Sequence, residues 1–184
     1  MSELTPDPDL ARARLILNGY DAPDAQQAEV RARILAFIDE HPLDAHLRSC
    51  LEGHLTGSAM LLDHNRERIL LTLHKKLGRW LQLGGHCDGD ANLVHVAWRE
   101  AQEESGIPEI EIDPAPLDLD IHAIPERKGV PEHLHLDVRF ITVAAKGSVE
   151  AISDESLDLR WFTFAEIAGL DVDESMTRAI ARLK

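Results

Sequence analysis

Along residues 24–40, apolar side chains recur at helical spacing (Ala28, Val30, Ile34, Leu35 and Ile38). Asp24 stands where an N-cap belongs, and His41-Pro42 ends the helix. From about His54 the pattern becomes strand-like. Ser58–Leu62 and Ile69–Leu73 flank a polar turn, Asp63–Glu67, and predict a hairpin. Leu81-Gln82-Leu83 leads into Gly84-Gly85 and a loop rich in His and Asp, followed by a helix from Asn92 to about Ser105. Gly106 occupies the C-cap position and Pro108 blocks continuation. Strands are expected at Glu109–Ile112, near Leu117–Ile124, over His133–Ala144 and at Leu159–Phe162, with a closing helix from Glu174 to Leu183. The 133–144 strand alternates cleanly: Leu134, Leu136, Val138 and Phe140 share one face, and His133, His135, Asp137 and Arg139 the other. Residues 125–131 form a loop between two of these strands. Helices interspersed with short strands and a hairpin predict an α/β fold, a mixed sheet covered by helices.

At 184 residues and 44% hydrophobic, the chain is long enough for one domain with a sizeable core and too apolar to be wholly disordered. Its formal charge of −14 is unevenly spread. Residues 1–50 carry 9 acids and 5 bases, residues 51–98 carry 5 of each, and residues 99–184 carry 19 acids and 9 bases. That balance excludes a general nucleic-acid or anionic-membrane binder, which needs a basic footprint. The neutral middle owes its bases to Arg66, Arg68, Lys75, Lys76 and Arg79. Those before Gly84 either solubilise a hairpin tip and loop or bring positive charge to a phosphate, with Lys76 and Arg79 the candidates. Two cysteines, Cys50 and Cys87, cannot supply a disulfide framework. The acidic, proline-broken start lacks the features of a signal peptide, and the apolar runs are too short to span a bilayer. A reduced, cytoplasmic protein is the expectation.

The chemistry concentrates in Gly85–Ile107. On its helix, Glu100, Glu103 and Glu104 fall at i, i+3 and i+4, so the three carboxylates share one face, and Arg99 can reach Glu103 one turn on. Like charges in the last turns of a helix repel one another and oppose its dipole. A divalent cation reverses that sign, and clustered oxygen ligands suit Mg²⁺ or Mn²⁺. A bare Glu-x-x-Glu-Glu also fits a solvated face; the glycine loop and the complete spacing distinguish this one.

With those residues in register, the segment resembles the signature of the Nudix hydrolase family, G-x5-E-x7-R-E-U-x-E-E-x-G-U, where U is a bulky aliphatic residue. Gly85, Arg99, Glu100, Glu103, Glu104, Gly106 and Ile107 match. Ala101 is a small apolar residue at the first U, and Ala91 replaces the first glutamate. The approach Leu81–Gly85 and the late Leu159–Phe162 are also similar to Nudix elements. The resemblance implies a Nudix-like α/β/α sandwich around a mixed β-sheet, with residues 1–50 a helical extension packed on a domain of residues 51–184. It implies metal-dependent hydrolysis of a diphosphate linkage in a nucleotide-like metabolite, that is, a pyrophosphohydrolase using Mg²⁺ or Mn²⁺. Glu100, Glu103, Glu104 and the Gly84 carbonyl would hold the ions, the carboxylates would orient or deprotonate the attacking water, and Arg99 would orient Glu103. Ala91 bears on metal number, with Asp88 and Asp90 nearby as stand-ins.

Further candidates remain. His86, His133, His135 and Arg139 would contact phosphate, or an additional metal, if the polar face of the 133–144 strand lines a cleft; a solvated strand face reads the same way. Glu155 is either an auxiliary base or part of an acidic surface loop. Two other functions stay open. One is an isopentenyl-diphosphate-type isomerase, with Cys87 as its reactive thiol and His54 and His86 as ligands; the other is a noncatalytic binding or regulatory domain. The expected partner is a small phosphorylated substrate, and homodimerisation is left open.

Overall fold

The computed structural model describes residues 4–75, 78–127, 129–152 and 156–183. Helices α1 (Leu10–Asn18) and α2 (Ala25–Glu40) precede strands β1 (Gly53–Leu62), β2 (Arg68–His74), β3 (Trp80–Leu81) and β4 (Leu83–His86). Helix α3 (Leu93–Ser105), strands β5 (Ile110–Ile124), β6 (His133–Ala144) and β7 (Ser156–Thr163), and helices α4 (Phe164–Ile167) and α5 (Glu174–Ala181) complete the chain.

The seven strands form one mixed sheet with the order β3-β2-β1-β6-β5; β4 adds to β1 and β7 to β2. At its centre β1 runs parallel to β6 from Gly53↔Leu134 to Leu62↔Val143. Its other edge is shared: Thr56–Ala59 pair with β4, and Leu62 pairs with Ile69 of the predicted hairpin. Helices cover both faces. On one, Leu55, Leu136, Val138 and Phe140 pack with Leu17, Ile34, Ile38, Leu93 and Val96 from α1, α2 and α3. On the other, Met60, Leu62, Ile69 and Phe162 pack with Ile167, Met176 and Ile180 from α4 and α5. Burying side chains of this size stabilises by roughly 1.5–3 kcal/mol each, so the two layers clamp the sheet from both sides.

Helices α2 and α3 begin and end where the sequence places them. Asp24 caps α2 by accepting from the Gln27 N–H at 2.8 Å, and Gly106 closes α3 in the left-handed region at φ 68°. Two elements differ from expectation. Helix α1, capped by Asp9, lies in a segment the pattern left unassigned. The two strands expected between 109 and 124 are one strand, β5, with register shifts around Pro116. β5 is a sheet edge, where proline nitrogens need no ladder partner.

Candidate active site

Three contacts fix the catalytic-helix candidate against the sheet. A Cβ on Gly57 of β1 would fall 2.9 Å from Val96 and 3.1 Å from the Ala97 nitrogen, so α3 approaches β1 as closely as a bare backbone allows. A Cβ on Gly85 would fall 2.4 Å from the Glu100 carboxylate, which fills that space instead. The Gly84 N–H donates to Glu104 Oε2 at 3.0 Å. Glu100 and Glu104 therefore meet the Gly84-Gly85 strand, while Glu103 lies exposed one position before Glu104.

Arg99 departs from expectation. Its Nη2 donates to Glu100 Oε1 at 2.8 Å and to the His86 carbonyl at 2.8 Å, rather than reaching over to Glu103. The physical reason is burial: Glu100 needs a cationic partner, whereas water serves Glu103. Burial raises the Glu100 pKa above its ordinary value, and Arg99 only partly offsets this. The donor set consists of carboxylate oxygens packed into a glycine-shaped recess beside a backbone strand, which fits a hard divalent cation that would lower the cost of the buried charge.

The loop before α3 is tied to the chain start. Asp90 accepts from the N–H groups of Asp7 and Asn92, both at 2.9 Å, and contacts His95 Nδ1 at 2.6 Å. The Ala91 N–H donates to the Asp7 carbonyl, and Asn92 Nδ2 donates to that of Thr5. Ala91 is fully buried under this strap. Asp88 pairs bidentately with Arg48, at 2.6 Å for each bond. Both aspartates named as stand-ins for the missing glutamate thus have other partners.

The polar face of β6 divides into two groups. Asp137 accepts from Thr56, Ser58 and Arg139, at 2.8, 2.8 and 3.0 Å. Arg139, 2% exposed, also pairs with Asp118, and its Nη2 donates to Ser175 of α5. Arg178 of α5 and Arg182 at its C-cap reach the same Asp118, Arg178 through two bonds of 3.0 Å. Arg139 is therefore spent on a buried ionic network binding β5, β6 and α5, and neither expected alternative, solvent nor phosphate, faces it. Removing one partner from such a network leaves an uncompensated buried charge, a cost of about 3–5 kcal/mol.

The second group is a cluster of imidazoles at the start of β6. The His54 ring lies 5.0 Å from His86, 5.0 Å from His133 and 4.9 Å from His135, and His86 lies 5.0 Å from His135. His122 of β5 joins at 5.5 Å from His135, with its Nδ1 3.0 Å from Asp120. Sequence reasoning passed over His122, although Asp118, Asp120 and His122 alternate along β5 just as the polar residues of β6 do. Burial, reinforced by neighbouring basic groups, lowers the pKa of His54, brings that of His86 down to about 4 and that of His135 to about 2. Both nitrogens of His54 and the Nε2 of His135 are buried without a hydrogen-bond partner. Each such atom costs about 1–3 kcal/mol when left unsatisfied.

The remaining candidates lie elsewhere. Arg79 is exposed, 3.8 Å from Asp171. Lys76 and Glu155 fall outside the described residues. Cys87, 1% exposed, belongs to the core beneath α3, and burial pushes its thiol well above the ordinary value. A protonated core thiol is not presented as a nucleophile, which removes the residue that the isomerase alternative requires.

A family model described as the NUDIX domain matches residues 54–183. Among solved structures, a MutT protein from Methanosarcina mazei Go1 is similar, with 17% identity and a TM-score of 0.58 over 71% of this chain and 92% of that one. A C. elegans Ap4A hydrolase, solved as a binary complex, is 15% identical with a TM-score of 0.57, over 70% and 93% of the two chains. The NUDIX domain of Shewanella oneidensis NrtR, complexed with ADP ribose, is 20% identical with a TM-score of 0.53, over 82% and 94%. At these identities the likeness is one of fold. No curated protein sequence matches the chain.

Proposed function

The chain belongs to the Nudix family of pyrophosphohydrolases, and we propose that it hydrolyses the diphosphate linkage of a nucleotide-like small metabolite, using Mg²⁺ or Mn²⁺ held by Glu100, Glu103, Glu104 and the Gly84 carbonyl. The observation carrying this reading is the meeting of Glu100 and Glu104 with the Gly84-Gly85 strand. The nucleotide-like class draws support from the Ap4A hydrolase and the ADP-ribose-bound domain of the same fold.

When bound, divalent cations at these oxygens offset the charge of the diphosphate and lower the pKa of a coordinated water. The chain's own groups do the rest. Gly85, lacking a side chain, lets the Glu100 carboxylate reach the strand. Arg99 holds Glu100 against the His86 carbonyl and so links helix to strand at the centre of the site. Glu104 is oriented by the Gly84 N–H. Together the carboxylates position the attacking water and accept its proton. We assign this activity to residues 51–184, with residues 1–50 as a helical extension packed upon them. We place the protein in the cytoplasm with both thiols free; among the described residues, no helix is long and apolar enough to cross a membrane.

The test is a panel of nucleoside diphosphate-linked compounds with product identification, run on wild type and Glu104→Gln in parallel, with and without Mg²⁺ or Mn²⁺. The expected result is cation-dependent release of two phosphate-bearing products, with the variant slower by about 10²–10³. Equal rates in the two proteins overturn the carboxylate mechanism.

A further inference from the structure

We propose that His54, His133 and His135 form a second metal centre, distinct from the glutamate site, that binds Zn²⁺ or a similar divalent transition-metal ion through three imidazole nitrogens. One ligand atom from each residue lies within 4.8 Å of the other two. Zinc–imidazole bonds of ~2.0–2.1 Å in a tetrahedron set ligand nitrogens ~3.4 Å apart, so small side-chain rotations close the site.

Two further observations point to a ligand. His54 is 4% exposed, and although the Cys50 backbone lies close to its ring, neither ring nitrogen meets hydrogen-bond geometry with a partner; the Nε2 of His135 is likewise buried without one. Buried imidazoles normally donate through one nitrogen and accept through the other. Three ring nitrogens left unpaired side by side have the form of ligands rather than of a hydrogen-bonded network. His133 supplies the complement: its Nδ1–H donates to the Pro131 carbonyl at 2.9 Å, which fixes the ring and leaves Nε2 as the donor atom. Such backing of a ligand histidine by a carbonyl is the usual support of a metal site. The strands hold the rings in place, because parallel pairing sets His54 directly beside His135, with His133 two residues earlier on the same face.

The chemistry selects the metal. Three neutral imidazoles without a carboxylate suit zinc and its neighbours and are poor ligands for Mg²⁺. Three protein ligands also leave the fourth position to water or a substrate oxygen. His86 adjoins this cluster through its ring, while its carbonyl binds Arg99. The histidine centre therefore borders the glutamate site through one residue, although the proposed hydrolysis does not depend on it. A second grouping among the described residues, His41, Asp44 and Cys50, differs in that the His41 nitrogens already meet Cys50, Asp44 and Glu52.

The full chain, stripped with a chelator, is titrated with Zn²⁺ against a competing indicator, and with Co²⁺ while the visible spectrum is recorded. Wild type and Glu104→Gln are expected to take up zinc with equal affinity, and Co²⁺ to give the intense bands of a four-coordinate site. His133→Gln and His135→Ala are each expected to lose at least about a hundredfold in affinity, more than loss of an outer-shell partner costs. Their metal-free circular dichroism should match that of wild type. Where His135→Ala fails to fold, His133→Gln at the rim of the cluster decides. Unchanged affinity in the histidine variants, loss of zinc in Glu104→Gln, or no uptake by wild type overturns the proposal.

Discussion

Gln27 pairs both ends of its side-chain amide with the backbone of Leu119: Nε2 donates to the carbonyl at 2.9 Å, and Oε1 accepts the N–H at 2.9 Å. The glutamine mimics one residue of a neighbouring strand at the open edge of the sheet, and the Tyr20 hydroxyl completes it by donating to Oε1 at 2.7 Å. At Leu119 the edge backbone is thus already paired and offers no site to a further strand.

Gln27→Leu leaves the Leu119 N–H buried without a partner, while the carbonyl keeps the Arg178 guanidinium at 3.2 Å. A loss of about 2 kcal/mol is expected, which lowers Tm by roughly 4–8 °C in a chain of this length. Thermal melts read the shift, and kcat measured well below Tm should not change.

Gly85→Ala places a methyl group where the Glu100 carboxylate now lies. The carboxylate must move by about an ångström, and a displacement of that size costs on the order of a hundredfold in rate. The expected signature is a loss of kcat with a nearly unchanged Tm. Retention of full activity would separate Glu100 from the chemistry.

Asp120 links the ionic network to His122. Burial works against its charge, but the His122 hydrogen bond, the Arg139 charge and the Arg178 hydrogen bond outweigh this and bring its pKa from 3.8 down to about 2. The unfolded chain therefore takes up a proton first as pH falls. The stabilisation is complete above pH 3.8 and is lost as pH drops towards about 2. Over that window the advantage of wild type over Asp120→Asn should shrink by about 2 kcal/mol. Urea unfolding at a series of pH values measures it.

Cys87→Ala tests the remaining thiol. Its side chain lies in the core and is absent from the proposed chemistry. Hydrolysis should proceed at the wild-type rate with a stability loss of about 1 kcal/mol. Loss of activity in a folded variant would return Cys87 to the site.

What the sequence made legible was local. The helix that carries Arg99, Glu100, Glu103 and Glu104, the caps at Asp24 and Gly106 and the hairpin turn are each written within a short stretch of chain, and each stands in the fold as read, although Arg99 takes Glu100 rather than Glu103 as its partner. Helix α1 escaped because only nine residues carry its pattern, next to a start broken by Pro6 and Pro8. The alternation along β6 identified its two faces but not what covers them. The partners of Arg139 come from Asp118 on β5 and Ser175 on α5, at sequence separations of 21 and 36 residues. Likewise, Arg99 chose Glu100 over Glu103 because of burial, which spacing does not encode.

The parallel pairing of β1 with β6 also constrains how the molecule reaches this state. Gly53 meets Leu134 and Leu62 meets Val143, so the central ladder closes over some eighty residues. Loop closure of that length comes before any reward from the ladder, which places folding in the milliseconds-to-seconds range of sheet proteins with distant contacts. Until β6 has been synthesised, β1 carries Leu55, Met60 and Leu61 without the strand that will shield one of its edges. During translation the early half of the chain is therefore the aggregation-prone half, and the polar residues Thr56 and Ser58 interrupt its apolar run.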